Sequence, residues 1–176
     1  DAFTVSDEAG TENQVTANAI LFSNISTVTA GDNSDTVSGS NTWNLLSTGF
    51  ETSGISFFDI VTANSAAAGT VTGTELADSF LLADNNQVKV KTTTFTGVTN
   101  VAGGNGEDEI IGAADQEWQL SGINNQITAN NIAFTTVEKA TNGTITGTSG
   151  IDAFTVSDEA GTENQVTANA ILFSNI

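Results

Sequence analysis

The chain has 176 residues, of which 38% are hydrophobic, including 10 Phe and 2 Trp; that apolar content supports a continuous core and excludes a disordered linker. It has no Pro, Cys, Met, His or Tyr, and its only basic residues, Lys89, Lys91 and Lys139, stand against 21 acidic ones for a formal charge of −18. A surface of that sign repels nucleic acid and anionic membranes and attracts cations, the missing cysteines exclude disulfides and thiolate sites, and no apolar run is long enough for a membrane span.

Residues 1–25, DAFTVSDEAGTENQVTANAILFSNI, return unchanged as residues 152–176, an offset of 151. Residues 1–151 therefore read as one full period of a tandem array and 152–176 as the start of the next identical period. Arrays of this kind stack each unit's apolar face on its neighbour. Polar and apolar residues alternate at Phe3/Val5 and Val15/Ala17, then at Val88/Val90, Trp118/Leu120 and Ile127/Ala129, the period-two pattern of half-buried strands. Gly, Asn, Asp and Ser clusters bound each run, and no helical stripe occurs. Between the early and late strands, the small-residue run 64–69 reads as a loop at a corner.

Two aromatic anchors punctuate these strands. An [F/W]-x-[V/L] anchor begins at Phe3, Trp43, Phe80, Trp118 and Phe154, spaced by 40, 37, 38 and 36 residues. An F-x-x-[I/V] anchor begins at Phe22, Phe57, Phe95, Phe134 and Phe173 and alternates with the first. One aromatic landmark therefore falls about every 19 residues, close to the length of a single solenoid coil. That spacing predicts an all-β, right-handed parallel β-helix (β-solenoid) of about eight coils per period, about 38 Å long at a strand spacing of about 4.8 Å. Phe3, Phe22, Trp43, Phe57, Phe80, Phe95, Trp118 and Phe134 would fill its interior. Tandem immunoglobulin-like sandwiches are the alternative, but their period of about 100 residues fits these landmarks poorly. A third element, Asn-Gln-[V/I], recurs at Asn13, Asn86, Asn125 and Asn164 and is missing from the Trp43 unit; it reads either as a stacked amide ladder or as a turn.

Glycine–aspartate turns separate the strands. Gly103-Gly104-Asn105-Gly106-Glu107-Asp108-Glu109-Ile110-Ile111 fits the nonapeptide G-G-x-G-x-D-x-U-x at every specified position. Partial versions occur at 31–37, with Asp35, and in the G-T-x-x-x-D-x-F segments 73–80, with Asp78, and 147–154, with Asp152. Here the chain resembles the RTX (repeats-in-toxin) family of secreted bacterial proteins, whose glycine-rich turns bind calcium. As a whole pattern it is similar to the tandem β-helical repeats of giant bacterial surface proteins, the RTX-type and haemagglutinin-like adhesins.

The resemblance implies an extracellular or cell-surface protein, exported unfolded. It marks Asp108, with Gly103, Asn105 and Glu107, and then Asp35, Asp78 and Asp152, as candidate calcium ligands, because carboxylates and turn carbonyls are hard oxygen donors. The turns nevertheless depart from the calcium pattern, since these aspartates lie 43, 30 and 44 residues apart rather than in consecutive nonapeptides. The plain reading of each Asp is a turn-closing acceptor for backbone N–H groups.

Catalysis finds little support in the residues. Polysaccharide lyases of β-helical fold need a cationic base, yet the chain has no His or Arg, and Lys89 and Lys91 flank Val90 on one strand face as solubilising groups. Asp7/Glu8 return as Asp158/Glu159 with the repeat, as surface decoration does. Thr-x-Thr pairs at Thr27, Thr70, Thr94 and Thr144 are too unevenly spaced to make a flat ice-binding face. The expected role is therefore structural, not enzymatic. Either the repeats extend one giant adhesin, or each chain is a subunit of a fibre, sheath or surface layer joined end to end. In both cases the partners are neighbouring repeats or identical fibres, not nucleic acid and not a membrane interior.

Overall fold

The computed structural model describes residues 1–6, 8–31, 34–156 and 164–176. Asp7, Asp158 and Glu159, and with them Asp32 and Asn33 of the first glycine turn, lie outside the described residues. All regular structure among the described residues is strand, as the β-branched composition predicts.

The first unit supplies β1 (Ala2–Thr4), β2 (Gln14–Ala17) and β3 (Ile20–Ser23), then β4 (Thr27–Thr29) and β5 (Thr36–Ser38). The second has β6 (Thr42–Leu45), β7 (Phe50–Thr52), β8 (Ile55–Phe58) and the long β9 (Thr62–Thr72). The third has β10 (Ser79–Asp84), β11 (Gln87–Val90), the long β12 (Thr93–Ala102) and β13 (Glu109–Ile111). In the fourth come β14 (Glu117–Leu120), β15 (Gln126–Ala129), β16 (Ile132–Thr135), β17 (Lys139–Thr141) and β18 (Thr144–Thr146). The returning segment forms β19 (Thr155–Val156), β20 (Gln165–Ala168) and β21 (Ile171–Ser174).

Within a unit the strands pair antiparallel. The two aromatic anchors are the outer strands of a three-stranded meander, and the Asn-Gln segment is its centre. Leu82 lies opposite Val88, and Val88 opposite Phe95; Leu120, Ile127 and Phe134 repeat the arrangement. The Trp43 unit keeps it without an Asn-Gln segment, because Phe50 takes the central place between Leu45 and Phe57.

Between units the strands pair parallel, so side chains line up in columns. Phe3, Val37, Ala63 and Phe95 form one column, Trp43, Val71, Val101 and Phe134 a second, and Phe80, Ile110, Ala140 and Phe173 a third. Each starts on a first-anchor ring, ends on a second-anchor ring, and carries smaller residues between. Bulky rings are thus kept off one another within a column, which suits close packing.

Followed edge to edge, the pairings make two series. The first runs β3–β2–β1–β5–β9–β12–β11–β10–β13–β17–β21–β20–β19. The second runs β4–β8–β7–β6–β9–β12–β16–β15–β14–β18. β9 and β12 contribute one half to each, and successive meanders alternate between the two. Rings meet across the gap, Phe3 with Phe57 at 6.3 Å and Trp43 with Phe95 at 6.1 Å, so the core lies between the series.

The fold is therefore a parallel β-solenoid, of about five turns, and no immunoglobulin-like sandwich is needed. Its coil is longer than the spacing of aromatic landmarks predicts. Phe3 stacks on Val37, and Val101 on Phe134, because two successive landmarks are strands of one meander rather than of two coils. Eight coils and about 38 Å per period give way to a longer rise. Ten pairings separate β1 from its repeat β19, and at about 4.8 Å each they advance the axis by about 48 Å. The run 64–69 is also no corner loop. It bulges within β9, where Asn64 pairs with Thr96 and Gly69 already with Val98.

The duplicated segment appears in two environments. In its second copy Ile171 and Phe173 are 0% exposed beneath β17, whereas in the first copy Ile20 and Phe22 are 58% and 43% exposed. Phe22 accordingly departs from the expected interior set. Truncating a buried Phe costs about 3–5 kcal/mol through lost transfer energy and the cavity left behind. Phe173→Ala should therefore destabilise the dilute protein by about that amount and Phe22→Ala by less than about 1.5 kcal/mol, as read by denaturant unfolding.

Candidate functional site

The glycine–aspartate turns place their carboxylates inward, against backbone. Asp78 accepts the Thr74 N–H at 2.6 Å and the Thr74 hydroxyl at 2.9 Å, and Asp152 accepts the same two groups of Thr148 at 2.7 and 3.0 Å. The glycine five positions before each Asp is required for space. A Cβ on Gly147 would lie 2.6 Å from the Asp152 carboxylate, and one on Gly103 would lie 2.6 Å from that of Asp108.

Stacking turns these carboxylates into a column. Asp78, Asp108 and Glu138 each sit immediately before a strand of the first series, one coil apart. The Asp78 N–H donates to Asp108 Oδ1 at 2.8 Å, and the Asp108 N–H donates to Glu138 Oε2 at 2.9 Å. Their carbonyls continue the chain of bonds: the Glu109 N–H donates to Asp78, the Lys139 N–H to Asp108 and the Leu172 N–H to Glu138. Asp35 has the same role in a neighbouring column, where it pairs with the Asp1 amine and its carbonyl accepts from Val61 and Thr62. Glu138 is not a candidate by sequence, because no glycine turn precedes it. Its signal is position, one coil beyond Asp108 and directly ahead of a strand.

The other candidates point elsewhere. Glu107 is exposed and pairs with Lys139 at 2.7 Å; that bond and charge hold the Glu107 carboxyl below its usual range and raise the Lys139 ammonium. The Asn105 amide donates to Glu75, and the Gly103 N–H donates to Thr135 O at 2.9 Å. Among the described residues no three acidic side chains converge on one point. The nonapeptide residues in this arrangement do not fit a calcium cage, although Asp108 Oδ2 and Asp35 Oδ2 are buried with no bonding partner.

No family model, curated protein or solved structure matches this chain. What the column can do is read from its own chemistry. Asp108 is fully buried, and desolvation raises its pKa above the ordinary 3.8; the Asp78 N–H opposes the rise and the charges of Asp78 and Glu138 add to it. Its covering is thin, since Gly73 and Gly103 contribute no side chains, so the column is a structural clamp under mild electrostatic strain.

A second recurring device, underrated by sequence reasoning, uses the asparagines. Asn13, Asn86, Asn125 and Asn164 all adopt left-handed backbone, with φ of 57–61°, which suits Asn better than most side chains. Each carbonyl accepts the N–H of the second anchor's last residue: Ile25 to Asn13 and Val98 to Asn86, both at 3.0 Å, and likewise Val137 to Asn125 and Ile176 to Asn164. The side-chain amides of Asn86 and Asn125 return bonds to the carbonyls of Val98 and Val137 at 2.9 and 3.1 Å. The turn reading thus holds over the amide ladder, and it gains a second half: the asparagine clips the far end of its own meander.

Two further differences concern the lysines and threonines. Lys91 lies past the end of β11, with φ of 55°, and its ammonium reaches the carbonyls of Leu46 and Ser47 at 3.0 and 2.7 Å. It anchors a turn and does not share a strand face with Lys89. Thr27, Thr70 and Thr144 begin pairs in the second series, whereas the Thr94 pair belongs to the first.

These bonds set two expectations. Asn86→Ala should cost about 2 kcal/mol, from about 1 for the left-handed backbone and about 1 for the lost amide bond. Asn86→Gly should cost only about half as much, both read by chemical denaturation. For Asp108 the folded carboxyl binds its proton more tightly than the unfolded one. Its contribution to stability is therefore fully present below 3.8 and is lost as pH rises through the elevated folded value. Thermal melts across this window should show the wild-type protein gaining on Asp108→Asn as pH falls.

Proposed function

We propose that this chain is a stacking repeat that builds a stiff acidic rod, serving as the extender of a giant extracellular bacterial adhesin or surface fibre. One observation carries the reading. The duplicated segment returns to the same series it began in, ten strand steps along, so a further period continues the ladders without a break. Main-chain bonds then run the length of the rod, and length scales with the number of periods.

The charge of −18 keeps such rods soluble and mutually repelling until cations screen them. The work of this protein is then mechanical rather than catalytic. The cysteine-free composition and the resemblance to RTX-type adhesins support the surface location. The unpartnered oxygens of Asp108 and Asp35 favour one second reading, in which calcium tightens the turns.

Small-angle scattering from chains of two and three periods, with calcium and with chelator, tests both. The expected result is a rod that lengthens by about 48 Å per period in either buffer. Beads with a much larger step overturn the rod, and a rod formed only with calcium makes the turns ion-dependent folding elements.

A further inference from the structure

Segments 1–25 and 152–176 are identical in sequence, yet only the second has an outer neighbour on its last strand. There β17 lies on β21 in parallel register, with Lys139 opposite Leu172, Ala140 opposite Phe173 and Thr141 opposite Ser174. Bonds on either side extend the joint, from the Leu172 N–H to Glu138 O and from the Asn142 N–H to Ser174 O, both at 2.8 Å. In the first copy no described strand lies on that edge of β3, and Ile20, Leu21 and Phe22 are exposed. Identical sequence and identical strand geometry call for the same neighbour.

We propose that the β3 edge docks the Lys139–Thr141 strand of a second copy of this chain, with Leu21 opposite Lys139, Phe22 opposite Ala140 and Ser23 opposite Thr141. In the isolated chain that strand is already covered by its own residues 152–176. Assembly therefore proceeds by segment exchange: residues 1–25 of one copy take the place of residues 152–176 of another. Every bond of the displaced segment is remade, since the two segments are the same. The incoming copy also brings β5, which covers β1, whereas Phe154 and Val156 of the displaced segment are exposed. Exchange thus buries apolar surface at both ends of the joint and leaves the solenoid uninterrupted from one chain to the next. The inference rests on the stacking reading above and adds to it a residue-level joint between separate chains.

The chain has no cysteine, so introduced pairs report the joint without interference. Two full-length variants are refolded at high protein concentration and oxidised. Leu172→Cys with Lys139→Cys should close within one chain and run as a monomer; if it does not, the register is wrong and the stacking reading falls with the proposal. Leu21→Cys with Lys139→Cys should give a reducible ladder extending beyond dimers. Adding Phe173→Asp, which weakens only the chain's own segment, should enrich that ladder about tenfold, because the tethered competitor is lost. If both Leu21→Cys chains remain monomeric while the Leu172→Cys control closes, exchange is wrong and the stack stands. A product that stops at dimers, and that Leu21→Cys alone also gives, likewise overturns it.

Discussion

Every strand in this chain has two edges of unpaired N–H and C=O groups, and the whole architecture follows from giving each edge a partner. A plain parallel solenoid satisfies them by stacking coil on coil. This one does so by two means, parallel ladders between units and an antiparallel meander inside each unit. The meander closes one column of the core and opens the next. The last strand of an old ladder, β12, joins through β11 to β10, the first strand of a new one. Aromatic rings stand at these openings and closings, and smaller residues such as Ala63, Ile110 and Ala140 fill the columns between. The spacing of rings along the sequence is therefore the spacing of ladder ends.

That is also why the fold was legible while its coil length was not. Alternation at Val88/Val90 and Trp118/Leu120 locates the strands, and the absence of helical periodicity excludes the other architectures. Whether two neighbouring strands are stacked coils or arms of one meander depends on the direction of pairing, and alternation is the same for both. One local signal does distinguish them. Asn86 and Asn125 sit in left-handed backbone ahead of the central strands, and φ > 0 belongs to reversing chain.

The candidate site was legible residue by residue but not as an assembly. The glycine turns correctly mark carboxylates held close to backbone, because the glycine ahead of Asp78, Asp108 or Asp152 leaves room for a folded-back side chain. Which of those acids share a column depends on coil length. With the longer coil, Asp78 and Asp108 become neighbours and Glu138 joins them; Asp152 belongs to another turn. The exposed acids Glu107 and Glu75 are taken up by Lys139 and Asn105. The buried acids thus belong to the scaffold, and these exposed ones are occupied by neighbours.

Alternation of the meanders between the two series makes parity matter. One period holds four of them, an even number, so the chain begins each new period on the face where the last began. Gene rearrangements that add or remove whole periods therefore preserve the acidic columns and both faces of the rod. Loss or gain of a single meander unit would place every later meander on the opposite face, with its column ends out of step. Copy number in such a gene can drift freely in multiples of the long period and is held against change in the short one.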